Sequence, residues 1–263
     1  MTEERLSFDK VPEIYDRVRP LYPEALFDEL LAYLEERSTV SEPKVLEIGP
    51  GTGQATASLL ERGAHVTSVE IGPQLARFLR RKFADEPRLD VINCSFEEAD
   101  LPKEAYDLVV SATAFHWVDA DVRYVKSHDL LRGGGTLAII STNQIASDAD
   151  RGYFDRTFPI YLKYRPDEQR SETPGEDVTP SEHGEMIASG LFGDVTLRRY
   201  RWDQTYATAA YADLVRSYGG TQMMEPPAAE ALIAELCEVI EREYGGSVTR
   251  PLVITLTLGR KQL

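Results

Sequence analysis

A glycine-rich segment, Val45–Gln54, has the residue types and spacing that point most directly to chemistry. It reads Val-Leu-Glu-Ile-Gly-Pro-Gly-Thr-Gly-Gln, so an apolar run typical of a buried strand ends in three closely spaced glycines. Glycine lets the backbone turn tightly and lets a ligand approach without meeting a Cβ atom. We therefore expect a ligand-binding turn between a strand and a helix, formed by Gly49, Pro50, Gly51 and Gly53.

The spacing of these glycines differs from that of two common nucleotide-binding loops. A dinucleotide-binding turn requires Gly-x-Gly-x-x-Gly, but the third glycine here comes one residue early and position 54 is Gln. A P-loop ends in Gly-Lys-Ser/Thr, and no lysine follows this turn. Glu47, at the end of the strand, would repel a pyrophosphate but attract a ligand with an amino group and a sulfonium ion. S-adenosylmethionine carries both charges and no phosphate, so the sequence favours it as the cofactor.

A second carboxylate, Glu70, ends the next apolar run, Val66–Glu70. An acid about 20 residues beyond such a turn, at the end of a strand, is placed to accept hydrogen bonds from a ribose diol. The alternative is a solvated acid at the strand end that caps the following helix. We favour the ribose role because of the position of Glu70 in the pattern.

These residues resemble the class I S-adenosylmethionine-dependent methyltransferases. Asn93–Pro102 is similar to the segment of that family that cups the adenine, so the resemblance implies cofactor contacts from Ser95, Phe96 and Glu97. The family often has an acid followed by a small residue where this chain has Ser95-Phe96. Which of these side chains meets the adenine amino group therefore stays open.

The resemblance continues through Tyr106–Trp117, which is similar to the fourth strand of the family and the loop beneath the methionine. It places Ser111 and Ala112 at the cofactor, and Ile71 beside Glu70. Together with the lead-in Tyr15–Pro23, the sequence Phe-His-Trp at the end of that loop is similar to small-molecule methyltransferases that resemble trans-aconitate methyltransferase (methyltransferase type 11). The resemblance covers residues 8–142 well and the C-terminal third loosely. It implies methyl transfer to a small molecule, with an organic acid as the candidate acceptor.

His116 is the candidate base or substrate contact because it lies in a loop at a strand end. The alternative is a histidine that only fixes the loop. Trp117 either forms a wall of the substrate pocket or packs within the loop. Tyr15 and Arg19 lie in a lead-in that could fold over the methionine end as a lid, where Arg19 would pair with the ligand carboxylate. Ordinary surface packing of this segment is the alternative.

Four further residues are candidate contacts of the methyl acceptor, because insertions after the fifth strand cover the acceptor in this class of fold. They are Tyr153, Tyr161, Arg216 and Tyr218. Aromatic residues at helical spacing more commonly pack in a core, which is the alternative for the two tyrosines of the insertion.

Alternating apolar runs and amphipathic stretches predict an α/β fold with a Rossmann-like, seven-stranded, mostly parallel sheet. It has an antiparallel edge strand near the C-terminus and a helical cap insertion. A helix from Pro23 to about Arg37 precedes the first strand, and a helix over Asp119–Leu131 closes on Gly133–Gly135 as a C-cap. The predicted strands are Lys44–Ile48, His65–Glu70, Leu89–Asn93, Tyr106–Ser111, Thr136–Ser141, Asp194–Trp202 and Val248–Leu258.

We expect one methyltransferase domain divided into four segments. Residues 1–40 form an N-terminal lid and helix, and residues 43–142 form the cofactor-binding core. Residues 145–182 form the helical cap, and residues 183–263 complete the sheet.

Composition limits the binding partners and the cellular location that we expect. The formal net charge of −15 would repel a nucleic-acid backbone, so no nucleic-acid partner is expected. No signal peptide or membrane span is recognisable, and Cys94 and Cys237 are expected to be reduced thiols, so we expect a cytoplasmic protein. No cysteine or histidine spacing matches a metal site. The chain is expected to be a monomer or homodimer.

Three other functions are alternatives to methyl transfer to a small molecule. A nucleic-acid amino methyltransferase typically has an Asp/Asn-Pro-Pro-aromatic turn after the fourth strand, where this chain reads Ser111-Ala-Thr-Ala114. Against a nicotinamide-dependent oxidoreductase stand Glu47 and the shortened glycine spacing. A non-catalytic protein that uses the same pocket as a sensor remains open, because methyl transfer requires few dedicated residues.

Overall fold

The computed structural model describes residues 3–36, 41–169 and 172–262. Short 3₁₀ helices lie at Glu3–Lys10, Phe115–Trp117 and Asp148–Asp150. The α-helices in these ranges are α1 (Pro12–Val18), α2 (Glu24–Glu35), α3 (Gln54–Glu61), α4 (Pro73–Lys82), α5 (Ala120–Leu130), α6 (Tyr153–Tyr164), α7 (Ser181–Ala188), α8 (Thr208–Arg216), α9 (Gly219–Gln222) and α10 (Pro226–Tyr244). The strands are β1 (Lys44–Ile48), β2 (His65–Glu70), β3 (Leu89–Asn93), β4 (Tyr106–Ala112), β5 (Leu131–Gln144), β6 (Phe192–Ala207) and β7 (Ser247–Lys261).

The strands form one sheet in the order β3-β2-β1-β4-β5-β7-β6. Parallel pairing joins β1 to β2 and β4, β2 to β3, and β4 to β5. Strand β7 runs antiparallel to β5, since the Ile145 N–H donates to the Pro251 carbonyl while Thr255 donates to the Ser141 carbonyl. The predicted fold class, a Rossmann-like, seven-stranded and mostly parallel sheet, is confirmed, and the antiparallel strand β7 lies next to the edge strand β6.

The central strands are almost entirely buried, as expected for parallel strands that are covered on both faces. Val45 and Leu46 of β1 and Leu108, Val109 and Val110 of β4 have no exposed surface. Such strands are recognised in the sequence as short apolar runs, as in β1 and β4. The bounds of β1, β2 and β3 agree with the prediction.

The glycines Gly133–Gly135 do not cap α5, so this part of the prediction is wrong. Helix α5 ends at Leu130 and β5 begins at the next residue. Tyr106 pairs with Leu131 whereas Leu108 pairs with Thr136, so the residues between them on β5 form a bulge. The glycines suit that bulge because a Cβ on Gly135 would lie 3.1 Å from the Asp107 carbonyl oxygen.

The chain packs as two compact units. Unit 1 comprises Met1–Pro20, Asn143–Val178 and Arg201–Val253, and unit 2 comprises Leu21–Thr142, Thr179–Tyr200 and Ile254–Leu263. This division differs from the four predicted segments, because the lead-in through Pro20 packs with the insertion and the C-terminal helices, whereas α2 belongs with the glycine turn. That the chain is a single domain stays a prediction.

Each unit has its own apolar core. In unit 2 the core includes Leu46, Phe115 and Leu137, and in unit 1 it includes Tyr153, Tyr211 and Leu236. Other boundaries differ from the prediction mainly by extension: β5, β6 and β7 are longer than the predicted strands. The end predicted for α2, Arg37, lies outside the described residues.

Gly53 is the best position at which to test the packing of the glycine turn. Its φ is +88°, and an added Cβ would lie 2.6 Å from side-chain atoms of both Leu79 and Phe83. We expect Gly53→Ala to lower the free energy of unfolding by about 2–4 kcal/mol, since backbone strain and overpacking add together. Urea denaturation followed by circular dichroism measures the change.

The matched control is Gly63→Ala in the same unit. Gly63 has a similar φ of +84°, but its added Cβ would lie 3.8 Å from the nearest atom, which is ordinary contact. It should lose only about 1–2 kcal/mol, the cost of backbone strain alone. Equal losses at the two glycines would contradict the overpacking.

Candidate functional site

The predicted glycine turn lies between β1 and α3. Gly49, Gly51 and Gly53 have φ values of +67°, +58° and +88°, in the region that favours glycine. A Cβ on Gly49 would lie 2.5 Å from the Cβ of Ala114, so this position also needs glycine for close approach. The Gly53 N–H donates to the Pro50 carbonyl at 2.9 Å, which closes the turn. The sequence therefore identified this turn for the correct physical reason.

Glu70, at the end of β2, holds the turn through its carboxylate. Its Oε2 accepts the Gly51 N–H at 3.0 Å, and its Oε1 accepts the Gly72 N–H at 2.8 Å. The residue is 4% exposed, so these charge-assisted hydrogen bonds are shielded from water. Each carboxylate oxygen can accept more than one hydrogen bond, so the geometry leaves capacity for a ligand hydroxyl.

Glu47, on β1, is a buried carboxylate with one unsatisfied oxygen. It is 1% exposed, and Oε2 accepts hydrogen bonds from Thr56 at 2.6 Å and from Ser68 at 3.0 Å. Oε1 is buried and has no hydrogen-bond partner among the residues that the structure describes. Burial raises the pKa of Glu47 to about 7, although the two hydroxyls act in the opposite direction. A buried acceptor without a partner fits a ligand with a cationic donor group, as S-adenosylmethionine has.

The side chains of the segment after β3 contact other groups of the protein. Phe96 is 3% exposed and packs in the core of unit 2. Ser95 and Glu98 bond each other reciprocally, and Oε1 of Glu97 accepts the Asp119 N–H at 3.0 Å. Burial therefore argues against a direct contact of Phe96 with an adenine. The cofactor contacts predicted for Ser95, Phe96 and Glu97 stay predictions.

Asn93, the last residue of β3, fixes the neighbouring loop although the sequence did not single it out. Its side-chain amide donates to the carbonyls of Glu70 at 2.7 Å and Ile71 at 3.2 Å. Ile71 is half-buried next to these contacts. The loop that carries Glu70 is thus held at its backbone as well as through its carboxylate.

The end of β4 carries the predicted cofactor contacts Ser111 and Ala112, and after them Thr113, whose backbone geometry the sequence did not predict. Ser111 is buried and donates to the Ile48 carbonyl at 2.9 Å, and Ala112 is half-buried. Thr113 follows with a φ of +57°, which is uncommon for a residue with a Cβ. It shares a 3.1 Å hydrogen bond with the Tyr22 hydroxyl. Unusual backbone geometry of this kind clusters at functional sites but leaves no sequence pattern.

His116 and Trp117 lie in the 3₁₀ turn after β4, with ring centroids 4.9 Å apart. Although His116 is exposed overall, protein atoms crowd the ring, and this partial burial lowers the pKa of the imidazole below its ordinary 6.5. Glu182 opposes that shift and Arg123 adds to it. The imidazole is therefore largely neutral at pH 7, which a general base requires.

Within unit 1 the structure brings together three predicted residues. The Arg19 guanidinium lies 4.5 Å from the centroid of the Tyr15 ring and 5.3 Å from that of Tyr218, and it donates to the Ser217 carbonyl at 3.2 Å. Cation–π contacts at these distances hold the lead-in against α8 and the turn that follows it. The lid role predicted for Tyr15 and Arg19 stays a prediction.

Two other predicted acceptor contacts have structural partners. Arg216 makes a bidentate ion pair with Glu230 at 2.9–3.0 Å and a further bond with Asp213 at 3.1 Å. Tyr153 has no exposed surface and packs edge to face against Phe154, Tyr211 and Tyr244. Both arrangements argue against direct contact with an acceptor.

Tyr161 and Tyr218 line the same cavity of unit 1, so the structure brings these two predicted residues together. The cavity also contains Arg250, which the sequence did not single out.

Among the described residues, no helix has the length and apolar character to span a bilayer. In the same residues, no group of three or more His, Cys, Asp or Glu side chains is placed to bind a metal ion.

The raised pKa of Glu47 predicts a pH dependence of folding. The unfolded chain loses this proton near pH 4.5 and the folded chain near pH 7, so protonation favours the folded state. Stability contributed at Glu47 should therefore fall as the pH rises from 4.5 to 7. The free energy of unfolding of Glu47→Gln, relative to that of wild type, should rise by about 3 kcal/mol between pH 4.5 and pH 7. Urea unfolding at several pH values without ligand measures this difference.

The control for this comparison is Glu61→Gln, an exposed carboxylate on α3 of the same unit. The difference in free energy of unfolding between Glu61→Gln and wild type should not show the rise with pH that is expected for Glu47→Gln. A difference between wild type and Glu47→Gln that stays constant from pH 4.5 to 8 would refute the buried-charge account.

Comparison with known proteins agrees with this geometry. Residues 46–139 match the model of a methyltransferase domain family, methyltransferase type 11. The chain is 35% identical over 135 residues to an uncharacterized methyltransferase of Mycobacterium tuberculosis, a match that covers 51% of each protein. It is 25% identical over 224 residues to a malonyl-[acyl-carrier protein] O-methyltransferase of Paenibacillus, covering 79% of this chain and 78% of the relative.

Other matches are shorter or structural. Those to ribosomal RNA small subunit methyltransferases cover 26% of this chain or less. A solved structure from Anaeromyxobacter dehalogenans, assigned as a type II methyltransferase, has a TM-score of 0.60 and 21% identity, with 92% of this chain and 96% of that chain covered. The chain spans about half the length of the first curated relatives it matches.

The glycine turn, the strand-end carboxylates and the sheet order thus coincide with the segment that matches the family model. Over residues 46–139 the chain is thus similar to the methyltransferase domain family, and its relatives over that region are methyltransferases.

Proposed function

We propose that this protein transfers the methyl group of S-adenosylmethionine to a small molecule, with an organic acid as the acceptor. The observation that carries the proposal is the left-handed glycine turn between two buried carboxylates, Glu47 and Glu70. A turn of this kind lets the backbone approach a ligand, and two carboxylates make the site hostile to a pyrophosphate. Both properties suit a cationic nucleoside without phosphate.

In this proposal, Glu70 accepts hydrogen bonds from the ribose hydroxyls, and the unsatisfied oxygen of Glu47 favours the positive end of the cofactor. S-adenosylmethionine supplies a methyl group that is already activated by its sulfonium ion. The task of the protein is therefore to align the reactants and exclude water rather than to generate a strong nucleophile.

A small acceptor is supported by charge and by one relative. The net charge of −15 opposes binding of a nucleic-acid backbone. The Paenibacillus relative, which is matched over most of its length, is named for methylation of an oxygen of a malonyl group. An acceptor oxygen on a carboxylate needs no base, since it is ionised at neutral pH. We further propose a cytoplasmic location, which suits the free thiols of Cys94 and Cys237.

Titration calorimetry of the purified chain with S-adenosylmethionine and, separately, with NADH is the first test. We expect micromolar binding of S-adenosylmethionine alone. Glu70→Ala should weaken that binding by about 1–3 kcal/mol, because a charge-assisted hydrogen bond is lost. Glu61→Ala, which removes an exposed acid from the same unit, should bind as wild type does.

The rival functions give different results in the same titrations. Binding of NADH instead would favour the oxidoreductase. Binding of S-adenosylmethionine, with no methyl transfer from radiolabelled cofactor to a panel of carboxylic acids, phenols and RNA, would favour a non-catalytic sensor. Unchanged affinity in Glu70→Ala would remove Glu70 from the site.

His116 separates two classes of acceptor. If the acceptor is a carboxylate, His116→Asn should lower kcat less than tenfold, since no proton has to be removed. If it is a phenol or alcohol, the loss of a general base should lower kcat by about 10²–10⁴-fold. Because the pKa of His116 lies below 6.5, a base role would also give a rate that is constant above about pH 6.5 and falls below it.

A further inference from the structure

Unit 1 contains a cavity of about 280 Å³ that is lined by aromatic and polar side chains. It lies among α6, α8, the turn after α8, and residues at the ends of β5 and β7. This volume is near the lower end of the range for small-molecule sites, so it suits a ligand of only a few carbon atoms or one ring. The aromatic residues that line it are Phe154, Phe158, Tyr161, Tyr211 and Tyr218.

Arg250, near the start of β7, supplies a positive charge to this cavity. The side chain is half-buried, and its Nε and Nη2 both donate to Oε1 of Gln144, at 3.3 and 3.0 Å. Its guanidinium carbon lies 5.8 Å from the centroid of the Tyr218 ring. Among the described residues, no carboxylate forms an ion pair with Arg250, and its polar side-chain partners, Gln144 and the phenol of Tyr206, are neutral.

The other polar groups of the cavity do not balance this charge. Arg165 and Glu168, which also line it, form an ion pair with each other at 2.7 Å. Burial raises the pKa of Tyr161 and Tyr211 above the ordinary value of 10, so both phenols stay neutral at physiological pH. The lining therefore carries one unpaired positive charge, in a chain whose net charge is strongly negative.

An unpaired guanidinium in a half-buried cavity is unfavourable unless an anion can reach it. A guanidinium offers two parallel N–H groups that match a carboxylate, and aromatic walls favour an apolar or unsaturated body. We propose that this cavity binds a small carboxylate with an apolar body and that Arg250 pairs with its carboxyl group. The ligand is either the methyl acceptor, in which case this site deepens the function proposed above, or a separate regulatory acid. Binding itself does not depend on the proposed function.

Benzoate is a suitable probe because it combines one carboxylate with one ring. Benzamide, which has the same shape and no charge, is the control ligand. Titration calorimetry of the full chain should show saturable binding of benzoate and at least tenfold weaker binding of benzamide. Arg250→Met should weaken benzoate binding at least tenfold, whereas Arg156→Gln, which removes an exposed arginine of the same unit, should leave it unchanged.

Gln144→Glu tests the same site without removing the arginine. Glutamate has the shape of glutamine and places a carboxylate oxygen at the position that already accepts the Arg250 bonds. It should therefore occupy the guanidinium, weaken benzoate binding at least tenfold and leave Tm unchanged or raised. This variant keeps the test valid if Arg250→Met fails to fold.

Two results would overturn the proposal. One is the absence of saturable benzoate binding to the wild type, together with no binding of aliphatic carboxylates of similar size. The other is equal binding by wild type and Gln144→Glu, which would show that Arg250 has a structural role only.

Methylation assays, separate from the binding titrations, show whether the bound carboxylate is the methyl acceptor or a regulatory acid. If the ligand is the acceptor, carboxylates that compete with benzoate are methylated by radiolabelled S-adenosylmethionine, and Gln144→Glu raises KM for the acceptor while the affinity for S-adenosylmethionine is retained. If it is a regulatory acid, competing carboxylates bind but are not methylated. A failure to bind S-adenosylmethionine at all would refute the proposed function and leave the carboxylate site intact.

Discussion

The glycine turn and the carboxylate of Glu70 form one interdependent unit. Three residues of the turn have positive φ, and the Gly51 N–H would be left without an acceptor if Glu70 were absent. The same carboxylate accepts the Gly72 N–H, so a single buried charge orders the two loops that follow β1 and β2. Parallel strands place their carboxyl ends at one edge of the sheet, which is the reason that these loops lie close enough to share an acceptor.

Buried charge gives this region its chemical character. Glu47 has two hydroxyl donors, from Thr56 and Ser68, and one oxygen without a partner. Desolvation makes its ionised form costly, which is the origin of the raised pKa. A cationic ligand would offset the cost of ionising this buried carboxylate. The group that destabilises the free protein would then attract a sulfonium ion. Sites of this kind commonly sacrifice stability for ligand recognition.

The sites proposed for the two units use different means of recognition. In unit 2 the recognition elements are backbone N–H groups, glycines and strand-end acids, which are set by the fold itself. In unit 1 they are arginines and aromatic rings: Arg19 lies against Tyr15 and Tyr218, and Arg250 lies against Tyr218 and Gln144. Backbone recognition suits a cofactor shared by a whole family, whereas side chains can change without altering the fold and so suit a ligand that differs between members.

The sequence by itself determined the strands of the cofactor region, the glycine turn and the positions of Glu47 and Glu70 at strand ends. These features depend on local patterns: apolar runs, glycines where φ is positive, and acids at strand ends. The local pattern gave a wrong prediction at Gly133–Gly135, which resemble a helix C-cap. These glycines instead form a bulge that the register between β4 and β5 requires.

Only the tertiary structure decided what the side chains of unit 1 do. Tyr153 and Tyr161 have similar sequence surroundings on α6, yet one has no exposed surface and the other lines a cavity. Arg250 has no distinguishing pattern around it in the sequence, because the residues that define its environment, Gln144 and Tyr218, are distant along the chain. Side-chain burial and charge balance depend on such long-range contacts, and no local pattern encodes them.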